Sequence, residues 1–214
     1  MTGVEPESAD TAAEGGTLRD RQKADRRLRL LDAAARLFAD RGYGGVSMRD
    51  LGAAADVSGP AVYRHFASKQ DVLVELLVGI SERLLADGKA QVAMADGPED
   101  ALERLVAAHA RFAVADEDLI RIQDRSLAVL APEAERRVRR LQREYVELWA
   151  STLRELDAGL SVRDARFRAH AAFGLMNSTP HAPSVDAVGG DHAVRLLSAM
   201  ALAALRAPLA DWPV

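Results

Sequence analysis

The sequence predicts an all-α protein, in which an N-terminal three-helix domain with a helix-turn-helix precedes a larger C-terminal helical domain. Apolar residues recur every three to four positions along most of the 214 residues, which is the spacing of one helix face. No stretch alternates apolar and polar residues for long enough to predict a strand. Three helix starts also follow one another within residues 46–69, VSMRDLGAAADVSGPAVYRHFASK. This arrangement is typical of a helix-turn-helix followed by a further helix.

The chain begins with a segment that has almost nothing to bury. Residues 1–18 are rich in Gly, Ala, Ser, Thr and Glu, so they are predicted to form a disordered tail. The first helix is expected over residues 19–40 and ends at Gly42, a natural C-terminal cap. The sequence Gly-Tyr-Gly-Gly then makes a turn. It is not a dinucleotide-binding loop, because it follows a helix and lacks the full GxGxxG pattern.

Each helix start within residues 46–69 carries a capping residue. Ser47, Ser58 and Ser68 occupy N-cap positions, where a hydroxyl can accept a hydrogen bond from the first turn. Asp50 and Asp71 stand three residues after the first and last of these serines, which is the spacing of a capping box. The second helix of the motif is therefore expected to start at Ser58.

Six further helices are expected in the rest of the chain. Their apolar stripes and their Gly and Pro boundaries predict helices over residues 68–94, 99–115, 117–130, 132–156, 162–177 and 191–206. A loop containing two prolines and two glycines is predicted over residues 179–190. The helix over residues 68–94 follows the helix-turn-helix without a linker, so it could act as a lever that transmits movement between the two domains.

The charge is distributed unevenly along the chain. The net charge is −4, yet residues 19–69 contain eleven Arg and Lys against six Asp. The charged residues of the first eighteen are all acidic. A basic module on an acidic body suggests that only the N-terminal domain faces a polyanion. An ordinary solvated face would have the same composition.

Several classes of site are excluded or disfavoured by composition. The chain has no cysteine, so no disulfide, thiolate metal site or cysteine nucleophile can form. The histidines at positions 109, 170, 181 and 192 provide no i, i+4 pair, so no metal site and no cofactor are expected. No N-terminal segment pairs positive charge with an apolar h-region, so export is not expected, and Arg195 and Arg206 interrupt the most apolar stretch. We therefore expect a cytoplasmic protein with no membrane partner.

A helix-turn-helix reads DNA by placing the N-terminal end of its second helix in the major groove. The small residues at that end allow close approach, and Arg49 on the preceding helix is the best long donor for a guanine edge or a phosphate. Lys69 combines a cation with a helix N-terminus, which predicts a phosphate site. The candidate DNA contacts from these considerations are Arg49, Ser58, Gly59, Pro60, Ala61, Tyr63, Arg64, His65 and Lys69. Two helices that only pack in a bundle are the alternative.

Three segments carry a resemblance to a known family. They are Leu31-Asp-Ala-Ala-Ala-Arg-Leu-Phe-Ala-Asp-Arg-Gly-Tyr, Ser47-Met-Arg-Asp-Leu-Gly-Ala-Ala-Ala-Asp-Val-Ser and Val62-Tyr-Arg-His-Phe-Ala-Ser-Lys. Over residues 26–76 the chain resembles the N-terminal domain of tetracycline-repressor (TetR/AcrR) family transcription regulators. The family usually has Gly where this chain has Asp56, a residue type that tolerates positive φ better than most.

The resemblance implies a recognition helix over residues 58–64, with DNA contacts from Ser47, Tyr63, His65 and Lys69. It also implies a homodimeric repressor that binds a palindromic double-stranded operator and is released by a small ligand. The domains are then a tail over 1–18, a DNA-binding domain over 19–67 and a ligand-binding and dimerisation domain over 68–214.

Two features of the C-terminal domain suit these roles. Polar-tipped and aromatic residues on apolar faces could line a ligand pocket, namely His109, Phe112, Gln123, Tyr145, Trp149 and His170. Each could instead be an ordinary core residue. The last helix is apolar nearly all round, so it must be covered on every side. The helix before it adds the apolar residues Phe167, Phe173 and Leu175, and we expect the two helices to form a dimer interface. A monomer core would satisfy the last helix equally.

The effector is expected to be an acyl-CoA or another amphipathic anion. Arg121 and Arg125 lie one turn apart and could grip an anion, or they could form a solvated face with Asp118 or Asp124. A helical enzyme using His109 or His170 is the competing class, but no GxSxG, HExxH or phosphate loop supports it. No enzyme activity is therefore expected. A regulator that has lost its effector is a further alternative.

Overall fold

The computed structural model describes residues 18–182 and 188–208, and every regular element in these ranges is helical. In chain order the α-helices are α1 (Leu18–Arg41), α2 (Met48–Ala54), α3 (Gly59–Val62), α4 (Lys69–Ala93), α5 (Pro98–Ala115), α6 (Glu117–Ser126), α7 (Pro132–Leu156), α8 (Val162–Met176) and α9 (Gly190–Leu205). Short 3-10 turns cover Tyr43–Gly45, Leu127–Val129 and Thr179–His181. The all-α prediction is confirmed.

Most helix boundaries agree with the sequence prediction within one or two residues. The exceptions are α3, which is a single turn, and α6, which stops at Ser126 and continues as a 3-10 turn. Residue 18, expected to end the tail, instead begins α1. The rest of the predicted tail and residues 183–187 of the predicted loop lie outside the described residues.

Two apolar cores organise the chain. The first is built on α1–α4 around Leu30, Phe38, Leu51 and Leu73, and it also takes in Ile122 of α6. The second is built on α4, α5 and α7–α9. Since α4 contributes to both cores, the helix-turn-helix is attached to the C-terminal domain through a shared helix rather than a free linker.

The turn between α2 and α3 depends on a close helix approach. A Cβ atom at Gly52 would lie 2.8 Å from the carbonyl oxygen of Val57 and 2.9 Å from the Val62 side chain. Asp56 in the same turn has a φ of 54°, so the sequence-based expectation that it tolerates positive φ is confirmed. The sequence interpretation did not single out Gly52.

The capping predictions hold at two of the three serines. Ser47 and Asp50 form a full capping box at α2, and the hydroxyl of Ser68 accepts from the Asp71 amide at α4. The hydroxyl of Ser58, however, makes no capping bond, so that prediction was wrong. Pro60 removes one N–H of the first turn, and the Ala61 amide already donates to the Ser58 carbonyl at 2.8 Å.

Candidate DNA-binding surface and ligand cavity

The candidate DNA contacts lie together on α2, α3 and the start of α4. The structure leaves seven of them exposed, namely Ser47, Arg49, Ser58, Gly59, Pro60, Tyr63 and Arg64. Ala61, His65 and Lys69 are partly buried. The short, cationic and phenolic side chains of this surface can donate to phosphate and base-edge acceptors.

Lys69 is engaged more fully than the sequence suggested. Its Nζ donates to the carbonyl oxygens of Tyr43 and Val46, both at 2.7 Å, and lies 4.3 Å from the centre of the Tyr43 ring. An ammonium has three N–H donors, so one donor is left for a phosphate. The primary contact of Lys69 is therefore with the turn that leads into α2.

Arg27 is a structural residue of this surface that the sequence interpretation missed. Its Nε donates to Glu75 of α4 at 2.8 Å, and its Nη1 donates to the carbonyl oxygen of His65 at 2.6 Å. Its guanidinium also lies 4.3 Å from the centre of the Phe66 ring. These contacts tie α1 and α4 to the segment that follows α3. The only signal in the sequence was an Arg placed one turn before the apolar stripe of α1.

A cavity of about 220 Å³ lies among α4, α5, α6, α7 and α8. Five of the six predicted pocket residues line it, namely His109, Phe112, Gln123, Tyr145 and His170. The sixth, Trp149, is fully buried behind the wall, where its ring packs edge-on against His109 and Phe173. Phe173 and Asn177 also line the cavity. The sequence interpretation placed Phe173 on the dimer interface and did not consider Asn177.

A buried hydrogen-bond chain forms one side of the cavity. His109 is 3% exposed, and burial lowers its pKa to about 4, so the ring is neutral at pH 7. Its Nε2 lies 3.1 Å from Asn177 Oδ1, an acceptor, and therefore carries the proton. Its Nδ1 then accepts from the Tyr145 hydroxyl at 3.2 Å, and burial raises the Tyr145 pKa. The chain is satisfied without any charge.

The protein is expected to become less stable as the pH is lowered, because His109 is buried in its neutral form. The folded pKa of about 4 lies below the unfolded value of about 6.5, so the unfolded chain binds more protons between these values. The free energy of unfolding should therefore drop by about 3 kcal/mol from this residue as the pH falls through that window. Urea unfolding of His109→Gln at pH 7, 6 and 5 should give a flatter profile than wild type.

The exposed residue His181 provides the matched control for that measurement. His181→Gln should retain the wild-type pH profile. His65 supplies a second, weaker dependence of the same sign, since burial, the nearby Arg27 and other cations lower its pKa. A His109→Gln profile as steep as that of wild type would contradict the buried neutral imidazole.

The cavity adjoins an arginine-lined surface groove. Gln142, Val146 and His170 line both the cavity and this groove. The charged residues of the groove are Arg139, Arg143 and Arg166 together with Glu147, and we call it the arginine groove. Arg139 pairs with Glu135 at 2.7 Å and Arg166 with Glu147 at 2.6 Å. Arg143 forms no ion pair within the part of the chain that the structure describes.

Arg121 and Arg125, which the sequence allows as an anion clamp, lie elsewhere. Arg121 faces Glu117 at 3.6 Å and Asp118 at 4.0 Å, and it donates to the Pro180 carbonyl oxygen at 3.2 Å. Arg125 donates to the carbonyl oxygen of Ala39 at 3.4 Å. Neither residue lines the cavity. The alternative interpretation of Arg121, a side chain paired with its helix neighbours, fits these contacts.

The outer sides of α8 and α9 carry exposed apolar side chains. Phe167 is 73% exposed, Leu196 48% and Met200 47%. Phe173 is not among them, because its ring packs 4.9 Å from the His109 and Trp149 rings in the C-terminal core. Leu175 is partly buried against the same core. The predicted contribution of Phe173 to the dimer interface was therefore wrong.

No helix within residues 18–182 and 188–208 is both long and apolar enough to span a bilayer.

Both domains of the chain match known protein families. Residues 30–76 match the family described as "Bacterial regulatory proteins, tetR family", and residues 95–181 match "Tetracyclin repressor-like, C-terminal domain". The transcriptional repressor KstR2 of Rhodococcus jostii is 34% identical over 147 residues, which cover 68% of this chain and 70% of that protein.

Solved structures agree with the fold described above. The TetR family regulator PfmR from Thermus thermophilus has a TM-score of 0.72 and 27% identity, with 83% of this chain and 97% of that chain covered. AibR, solved in complex with isovaleryl coenzyme A and operator DNA, has a TM-score of 0.69 and 18% identity, with 82% and 97% covered. KstR2 is described as a transcriptional repressor and PfmR as a transcriptional regulator. On the strength of both matched domains and the KstR2 relative, this chain belongs to the TetR family of DNA-binding transcriptional repressors.

Proposed function

We propose that this protein is a homodimeric repressor that a small amphipathic anion, of the acyl-CoA type, releases from a palindromic operator. The observation that carries the proposal is the cavity free of Asp, Glu, Lys and Arg side chains that adjoins the arginine groove, with which it shares Gln142, Val146 and His170. Its wall includes α4, the helix that also enters the core of the DNA-binding domain. A protein with this partner acts in the cytoplasm, where bacterial DNA lies.

The exposed surface of α2 and α3 is the DNA reader of this proposal. Arg49 and Arg64 are exposed, and the small residues at the start of α3 allow it to approach base edges closely. The exposed hydroxyl of Ser58 can donate to a base edge, and its oxygen can also accept because it makes no capping bond. Specificity then depends on Arg49, Ser58 and Tyr63 together with the spacing of two readers.

The exposed apolar side of α8 and α9 supports a two-fold dimer. Phe167, Leu196 and Met200 would be buried against the same residues of a second copy, because a two-fold interface pairs each patch with itself. Such a dimer would present two readers to successive major grooves, about 34–36 Å apart or a multiple of that distance.

Phe167→Glu is expected to convert the dimer to monomer, because it places a carboxylate at the centre of a desolvated patch. Sedimentation equilibrium of the full chain measures the change. Leu28→Glu on α1, a residue 59% exposed but remote from α8, is the control and should remain dimeric. A Phe167→Glu protein that sediments as the wild-type dimer would remove this patch from the interface.

The chemistry of the cavity supports an effector with an uncharged body and an anionic head. His109, Tyr145 and Asn177 supply neutral polar groups inside, and Arg143 and Arg166 supply charge outside. A cavity of about 220 Å³ is smaller than the usual 300–1,000 Å³ of ligand pockets. It therefore suits a short acyl group, with the phosphates of coenzyme A in the groove. AibR, which has this fold, binds isovaleryl coenzyme A.

Release requires a ligand that binds one conformer better than another. A ligand that enters between α4 and α7 contacts Ser81 and Leu84 of α4. Arg27 and Glu75 couple the same helix to the reader. A shift of α4 that accommodates ligand would therefore change the separation of the two readers.

Random-site selection with the full chain tests this function. Enrichment of an inverted repeat whose halves are one helical turn or a multiple apart is expected. A gel shift with DNA upstream of the gene should then give salt-sensitive, sequence-specific binding. Recovery of no preferred sequence from the selection would contradict the proposal.

A further inference from the structure

The first turns of α1 extend beyond the part of the chain that matches the family. The helix begins at Leu18, whereas the family match begins at residue 30. The extension, residues 18–29, adds about three turns of helix, or about 18 Å. Between residues 19 and 29 there are six Arg and Lys against two Asp. Residues 20–26 are all exposed.

Two cations of the extension, Lys23 and Arg26, lie on the side of α1 that faces the core of the DNA-binding domain. Leu30 and Ala34 pack into this core. Arg26 and Lys23 continue their row towards the N-terminus at spacings of four and three residues, which keeps them on the same face. An apolar stripe therefore changes into a cationic one where α1 runs past the core.

Arg27 fixes the position of this cationic stripe relative to the reader. Its Nη1 donates to the carbonyl oxygen of His65 at 2.6 Å, and its guanidinium stacks on Phe66. The C-terminal end of the extension therefore lies beside the residues that follow α3. Lys23, Arg26 and Arg64 all lie near enough to His65 to help lower its pKa, after the larger effects of burial and Arg27.

We propose that Lys23 and Arg26 bind DNA backbone phosphates beside the recognition helix and form one cationic surface with Arg64. Among the described residues, none of these three cations forms an ion pair with a carboxylate, so their charge is available to a polyanion. Phosphate contacts of this kind position a protein on DNA without reading its sequence. The inference rests on the DNA-binding function but not on the effector or the operator symmetry.

The test uses Lys23→Gln/Arg26→Gln in the full chain. The matched control is Arg21→Gln/Arg36→Gln, which removes the same charge from exposed positions of the same helix. Arg21 lies on the opposite side of α1 from Lys23 and Arg26, and Arg36 lies about 110° round the helix from them. Fluorescence anisotropy measures the association constant for the selected operator and for an unrelated duplex between about 50 and 300 mM salt.

The slope of log K against log salt should become shallower by about two in the Lys23/Arg26 variant, since each lost phosphate contact removes about 0.9. Affinities for the two duplexes should fall by the same factor. The control should change the slope by less than half as much. Equal changes in both variants, or an unchanged slope, would overturn the inference. If the wild type prefers no sequence, the proposed operator function fails, while the slopes on unrelated DNA still decide this inference.

Discussion

Gly52→Ala is expected to weaken operator binding more than tenfold while the C-terminal domain keeps its fold. The added Cβ would lie 2.8 Å from the carbonyl oxygen of Val57 and 2.9 Å from the side chain of Val62. A backbone carbonyl cannot rotate away, so α3 must shift relative to α2. Overpacking of this kind costs about 1–3 kcal/mol. The shift also moves the recognition helix out of register with the base edges.

Anisotropy with the selected operator measures the loss, and far-ultraviolet circular dichroism checks the helix content. Gly79→Ala is the control, because Gly79 lies in α4 with nothing within 4 Å of its added Cβ. That change should stabilise the protein by roughly 0.4–1 kcal/mol and leave DNA binding intact. Wild-type operator affinity in Gly52→Ala would contradict the close approach of α2 and α3.

Arg143→Gln/Arg166→Gln is expected to raise the concentration of acyl-CoA needed for half-release from the operator by at least about tenfold. Charge-assisted hydrogen bonds are worth about 1.5–3 kcal/mol, and about 1.4 kcal/mol corresponds to a tenfold change. Operator affinity without effector should not change, since both arginines lie on the arginine groove of the C-terminal domain.

The matched variant is Arg136→Gln/Arg163→Gln, which also removes one charge from α7 and one from α8. Both of its arginines are exposed, and neither lines the cavity or the groove. Its half-release concentration should match that of wild type. An equal shift in the two variants would mean that net charge, rather than the arginine groove, attracts the effector.

Local signals in the sequence explain why the fold could be predicted. The Ser47–Asp50 box and the Ser68 cap start α2 and α4 with bonds between residues three apart, and such spacings can be read directly from a sequence. Pro98 and Pro132 lie in the first turns of α5 and α7, where proline is favoured, so these helix starts can also be read from the sequence. The Ser58 hydroxyl does not cap α3, because Pro60 has no N–H and the N–H of Ala61 donates to the Ser58 carbonyl oxygen instead.

The cavity and the DNA-binding surface depend on contacts between residues that are far apart in the sequence, so only part of each could be predicted. His109 and Tyr145 could be proposed for the pocket because polar tips on apolar faces are unusual. Asn177 could not, since it completes the chain to His109 across 68 positions. Lys69 looked like a free phosphate ligand because its carbonyl partners, Tyr43 and Val46, lie in a different turn. Phe173 was misplaced because helix periodicity cannot say which apolar side of a helix faces the core.

Titration of the operator complex with acyl-CoAs of increasing chain length tests the central claim most directly. Two chains should bind each selected duplex, and short-chain acyl-CoAs should return its anisotropy to the value of free DNA. Coenzyme A without an acyl group should release the protein less effectively, because the cavity of about 220 Å³ would stay unfilled. A complex that no acyl-CoA dissociates, or a duplex that holds a single chain, would contradict a ligand-released dimeric repressor.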